Sequence, residues 1–210
     1  MGDEPYAAVL PWMVYAVVDR AQAGGPIWAG LGALVTAIAL LVMSSRGVGS
    51  RNIMILGAVV WFGGLTVAGA LHPSETGFLT HDGRALSAAG FALIAFGSLV
   101  FTPASMHFTR PHVRSSRRDH PAFRRANVLI TLIWAATFAA IAVSHAVAAS
   151  LGTPEANTVL NWVVPIALAA VAAHRSRVCW DDFNDDDSFE PDPMRDLELD
   201  WEPPSGSRRR

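Results

Sequence analysis

Residues 127–149 read NVLITLIWAATFAAIAVSHAVAA, with no Asp, Glu, Lys or Arg among them. At about 1.5 Å of rise per residue, such a run crosses a hydrocarbon layer of about 30 Å as a single α-helix. It shows none of the period-2 alternation of a barrel strand. Similar apolar blocks recur along the chain, giving expected spans of about 5–20, 27–44, 53–71, 85–102, 127–149 and 159–174. The 210 residues are 51% hydrophobic, and these side chains are gathered into blocks rather than dispersed. One water-facing core cannot hide that much apolar surface, so lipid is the expected solvent. The fold class read from the sequence is therefore all-α: an integral membrane bundle of six helices over residues 1–177, followed by a disordered acidic tail over 178–210. The first block is short and contains Pro11, with Trp12 and Tyr15 suited to the headgroup level, so it reads either as a span or as an interfacial segment. In the second case there are five spans.

Two blocks carry small residues every fourth position: Ala29, Ala33 and Ala37, and Ala136, Ala140, Ser144 and Ala148. Such stripes let neighbouring helices approach closely. Gly57, Gly63, Gly64 and Gly69 in the third block would weaken a helix in water. In lipid they are common, because the backbone must bond to itself whatever the side chain.

Charge sets the orientation. The formal net charge of −2 conceals sixteen Arg, no Lys, and eleven of the eighteen acidic residues after Val178. Arg46, Arg51, Arg110, Arg114, Arg117, Arg118, Arg124, Arg125, Arg175 and Arg177 fall on one side of the expected spans, and only Arg20 and Arg84 on the other. Ten against two places the Arg-rich side, and the C-terminus, in the cytoplasm of a bacterial cell membrane. The N-terminus is also cytoplasmic if six blocks span. Its acidic start lacks the positive n-region of a cleavable signal, so the first helices are expected to act as uncleaved insertion signals. The loop bearing Arg110, Arg114, Arg117, Arg118, Arg124 and Arg125 is expected to contact anionic lipid headgroups, each Arg contributing about 1 kcal/mol near the surface. Topogenesis alone would also account for those residues. The dense Asp and Glu of the tail argue for disorder and against nucleic acid as a partner. Opposite charge in one compartment suggests that the tail competes with lipid for the basic loop.

No chemistry-bearing motif emerges. A Gly-rich phosphate loop, a His-Glu-x-x-His and a Gly-x-Ser-x-Gly are all missing, so no cofactor, metal or catalytic group is expected. The single Cys179 allows no internal disulfide. His107, His112 and His120 sit among Arg in spacings that fit no standard metal site, and His72, Glu75, His81 and Asp82 read as an ordinary polar loop. No Asp or Glu falls within the second to sixth blocks, which counts against ion-coupled transport. Three polar positions stand out as functional candidates: Asn127, read as a helix cap, His145 inside the fifth block, and Asn161 at the start of the sixth.

Pro103-Ala-Ser-Met-His-Phe-Thr-Arg110, followed by His-Pro-Ala-Phe-Arg-Arg-Ala-Asn127, then Ile130, Thr131, Trp134 and Phe138, resembles a family of small uncharacterised bacterial multi-pass membrane proteins. That family carries a Pro-Phe-Thr-x-x-Tyr-Ala-Arg signature. Here Ala104, Ser105, Phe108 and Thr109 stand in the Phe, Thr, Tyr and Ala places, while Pro103 and Arg110 remain. Asn161-Trp162-Val-Val-Pro165-Ile is similar to the family's last helix. A more distant similarity reaches bacterial intracellular septation protein A, and no role is carried over from it. The resemblance implies a multi-pass topology and supplies no activity. The expectation is a non-enzymatic scaffold or modulator of a protein partner, a second copy or the cytoplasmic leaflet. The alternative is a small permease for a neutral or anionic solute, lined by Arg110, Asn127 and His145.

Overall fold

The computed structural model describes residues 5–20, 26–45, 53–71, 76–109, 113, 118 and 120–184. Among these, every regular element is helical: α1 (Pro5–Arg20), α2 (Pro26–Ser45), α3 (Ile53–Leu71), α4 (Thr76–Phe101), α5 (Met106–Thr109), α6 (Pro121–Leu151), α7 (Pro154–Thr158), a π-helical turn (Val159–Val163) and α8 (Val164–Asn184). Four helical segments are long and apolar enough to cross a membrane: Ile53–Leu71, Asp82–Phe101, Pro121–Leu151 and Pro154–Asn184. With α1 and α2 they make six long helices.

The ends of these helices are set by caps rather than by hydropathy. His120 accepts the Ala122 N–H at Nδ1 (3.2 Å), and Pro121 occupies the first turn, where its missing N–H costs nothing. The helix then runs 31 residues, about 46 Å, to Gly152, whose φ of 64° and N–H bond to the Ala148 carbonyl (3.1 Å) close it in a left-handed cap. Asn127 is thus six residues inside α6 and does not cap it, because residues 121–126, with Arg124 and Arg125 among them, are as helical as those that follow. In the same way α4 begins at Thr76, so Asp82 and Arg84 are helical rather than in a loop. At the other end α8 continues through Asn184, so the first seven residues of the expected disordered tail are helical. The remainder of the tail lies outside the described residues.

α4 and α6 form the central pair. α2 packs between α1 and α3, α3 closes on α4, and α8 rests on α6. The α2 stripe behaves as expected, with Ala29, Ala33 and Ala37 fully buried. The α6 stripe does not: Ser144 and Ala148 are buried, but Ala136 and Ala140 are exposed. A strict four-residue step advances about 40° per repeat, so four members drift through about 120° and leave any one contact face. The buried face of α6 mixes steps of three and four, through Asn127, Ile130, Thr131, Ala135, Ile141, Ser144 and Ala148.

An aromatic chain crosses the bundle. Tyr15 stacks on Phe62 (5.3 Å), Phe62 meets Trp12 (4.6 Å), Trp12 meets Phe91 edge-on (5.3 Å), and Phe91 stacks on Phe138 (3.9 Å). Beside it, Gly90 lets α4 and α3 approach closely, because a Cβ there would collide with the Trp61 ring. A second, smaller core sits at the Arg-rich end, where the fully buried Phe123 packs with Val113, Phe183 and Trp180. Phe123 therefore faces the interior of this cluster rather than the surface. Helices of about 46 Å exceed a hydrocarbon layer by about 16 Å, which leaves room for this cluster beyond it.

Candidate functional site

At the end of the bundle opposite the Arg-rich one, α6, the π-turn, α1 and α4 enclose a cavity of about 190 Å³. The π-turn that shapes it follows from Pro165. The Val164 N–H bonds to the Val159 carbonyl, five residues back. The Leu160 carbonyl then has no backbone donor, since Val164 is diverted and Pro165 has no N–H. Ser144 on α6 supplies the missing proton, its hydroxyl donating to the Leu160 carbonyl at 2.7 Å. Wide turns of this kind are frequent at functional sites.

The turn brings Asn161 to His145, with Asn161 Oδ1 2.6 Å from His145 Nδ1. Asn161 Nδ2 donates to Asn157 Oδ1 at 2.6 Å, so Oδ1 is left to accept. This assigns the proton to His145 Nδ1 and a free lone pair to Nε2. Across the cavity the Arg84 Nε donates to Asp19 Oδ2 at 3.1 Å, an ion pair joining α4 to α1. Tyr15, Ser87, Trp12, Phe91, Phe138 and Trp162 complete the lining. Sequence reasoning singled out His145 and Asn161 but neither paired them nor found Asp19–Arg84. The available signal was Pro165 four residues after Asn161.

The Arg-rich end holds two further arrangements. In one, the short α5 segment is clamped onto α6 through Asn127. Asn127 Oδ1 accepts the Ser105 hydroxyl (2.8 Å) and the Thr109 hydroxyl (2.7 Å), while Nδ2 donates to the Phe123 carbonyl (2.8 Å). The Thr131 hydroxyl bonds Ser105 Oγ (3.0 Å) and accepts the Ser105 N–H (3.2 Å). Asn127 is fully buried there, so its role in the fold is to hold the α4–α6 connection. In the other, Arg124 and Arg125 share one face of α6 with Val128, Leu129 and Leu132, beside a wide-open hollow of about 300 Å³ that this single helix face lines. Arg118 turns inward instead, its Nε donating to the Val113 carbonyl at 2.9 Å. Arg110, Arg114 and Arg117 lie outside the described residues, as do His72, His112, Glu75 and the side chain of His81. Among the described residues no three His, Cys, Asp or Glu side chains converge as a metal site would need.

No family model matches the chain, nor does any curated protein or solved structure. The functional reading therefore rests on the geometry.

Proposed function

We propose that this chain is a multi-pass protein of the bacterial cytoplasmic membrane, without catalytic activity, that engages anionic lipid at its cytoplasmic face and presents a helix to a partner. The observation that carries the lipid reading is the face of α6 that Arg124 and Arg125 share with Val128, Leu129 and Leu132. Two guanidinium groups at the end of an apolar helix face match a phosphate headgroup above its acyl chains. The uncharged surface below it supports the membrane placement, since Leu129, Val143, Val147, Ile166 and Val171 are all exposed.

The partner reading rests on α8. Only 6% of the apolar window in Pro154–Asn184 is buried, against 44% in Asp82–Phe101, because among the described elements α8 packs chiefly on α6. A second copy or another membrane protein would cover the rest. A permease draws less support. Asn127 and His145 are eighteen residues apart on α6, about 27 Å, and belong to two separate arrangements rather than one path. The Phe91–Phe138 stack also floors the cavity that His145 lines.

The Arg124→Gln, Arg125→Gln double variant tests the lipid reading. At about 1 kcal/mol per Arg, its binding of phosphatidylglycerol in detergent at low salt should weaken about 30-fold. Unchanged binding by native mass spectrometry would remove this helix face from the account. Tail competition is tested by truncation after Asn184, because a cut after Val178 also removes Trp180 and Phe183 from the second core.

A further inference from the structure

We infer that the cavity between α1, α4, α6 and the π-turn binds the uncharged, single-ring headgroup of a tailed, membrane-soluble molecule of the quinone type. The site is independent of the proposed lipid-binding face, which lies at the other end of α6.

Four observations define the ligand class. First, the cavity carries hydrogen-bonding capacity that the fold does not use. Arg84 gives its Nε–H to Asp19 and has no other bond among the described residues. His145 has a free Nε2 lone pair once its Nδ1 proton is committed to Asn161. The Ser87 hydroxyl lines the same space. A ring carrying oxygens can accept from Arg84 in either oxidation state, and in its reduced, hydroxyl form it can also donate to the His145 Nε2 lone pair. Second, the site is charge-balanced. Asp19 neutralises Arg84, and among the described residues the only other ionisable groups lining the cavity are His145 and Tyr15. An anion or cation would sit there without a counter-charge.

Third, the walls are flat. Trp12, Phe91, Phe138 and Trp162 surround the polar groups, a setting for an aromatic or quinonoid ring. An apolar cavity of about 150 Å³ is known to hold benzene, so about 190 Å³ suits one substituted ring. Fourth, two of the helices beside the cavity are not packed extensively on one another: α1 lies chiefly on α2 and touches α4 only slightly, while α8 lies on α6. Met13 and Val17 of α1, and Ile166 of α8, are exposed at 56%, 67% and 65%, apolar surface on these two helices that an isoprenoid or alkyl tail could lie against.

The test titrates the full-length protein in mild detergent with a decyl-substituted benzoquinone, reading the quenching of tryptophan fluorescence. Trp12 and Trp162 border the cavity and report directly. Saturable quenching is expected, unrelieved by excess monodecanoylglycerol, whose head is uncharged but has no ring. Ser87→Leu fills the cavity and should weaken the apparent affinity at least about tenfold. Asn161→Leu, on the partly exposed π-turn, should also weaken it by releasing His145, and stands in if Ser87→Leu does not fold. Non-saturating quenching that is equal in all three proteins overturns the assignment. Full relief by monodecanoylglycerol overturns it too, by showing an alkyl-chain cleft.

Discussion

Replacing Asn127 with Ala is expected to lower the unfolding free energy by about 3 kcal/mol, the largest effect of any single polar substitution in the bundle. The side chain makes three hydrogen bonds, two accepted from Ser105 and Thr109 and one donated to the Phe123 carbonyl. Each contributes about 1 kcal/mol net, and the site is fully buried, so water cannot replace them. Asn127→Asp should fare no better. Its carboxylate could still accept the two hydroxyls, but it would bury a charge and turn an acceptor toward the Phe123 carbonyl. Thr137→Ala is the comparison: that hydroxyl bonds only the Ile133 carbonyl of its own helix at 2.7 Å, and its loss should cost no more than about 0.5 kcal/mol. Denaturant titration of the three variants in one detergent checks the ranking.

Phe123→Ala is expected to cost about 3 kcal/mol or more. Within a bilayer core such a truncation loses packing alone, since lipid is as apolar as the protein interior. Phe123 is placed differently, at the projecting end of α6 against Val113, Trp180 and Phe183, where water would enter the space it leaves. Both the transfer and the cavity contributions then apply. Phe183→Ala should produce a similar loss, and the double variant should lose less than the two combined, because both rings fill one contact (5.7 Å between centroids). Trypsin cleavage at Arg177 should quicken in each variant as the end of α8 comes away. Independent, additive losses would separate the two rings.

The hydrophobic blocks were legible in the sequence because the period and length of an apolar run report directly on its surroundings. The third span, 53–71, coincides with α3, and 27–44 falls one residue inside each end of α2. The fourth to sixth spans were read short or shifted for one reason. Hydropathy marks where a helix is apolar, whereas backbone hydrogen bonding continues until a cap interrupts it. Thr76–Arg84, Pro121–Ala126 and Val178–Asn184 each carry charged residues that break the apolar run and are still helical. His145 and Asn161 were visible as polar residues in apolar stretches. Their pairing depends on a π-turn created by Pro165 and completed by Ser144, a contact between residues sixteen positions apart or more. Asp19–Arg84 spans 65 positions, and no local pattern announces a pair so distant.

The proposed function requires these helices to lie in a bilayer with the Arg-rich end inside the cell. Cys179 tests both at once, being the chain's only cysteine and partly exposed on α8. Membranes washed in alkaline carbonate are prepared as right-side-out and as inverted vesicles, then treated with a membrane-impermeant maleimide. The protein is expected to stay with the membrane, and Cys179 to be labelled in inverted vesicles only. Release of the protein by carbonate, or labelling of Cys179 in right-side-out vesicles, would contradict that placement.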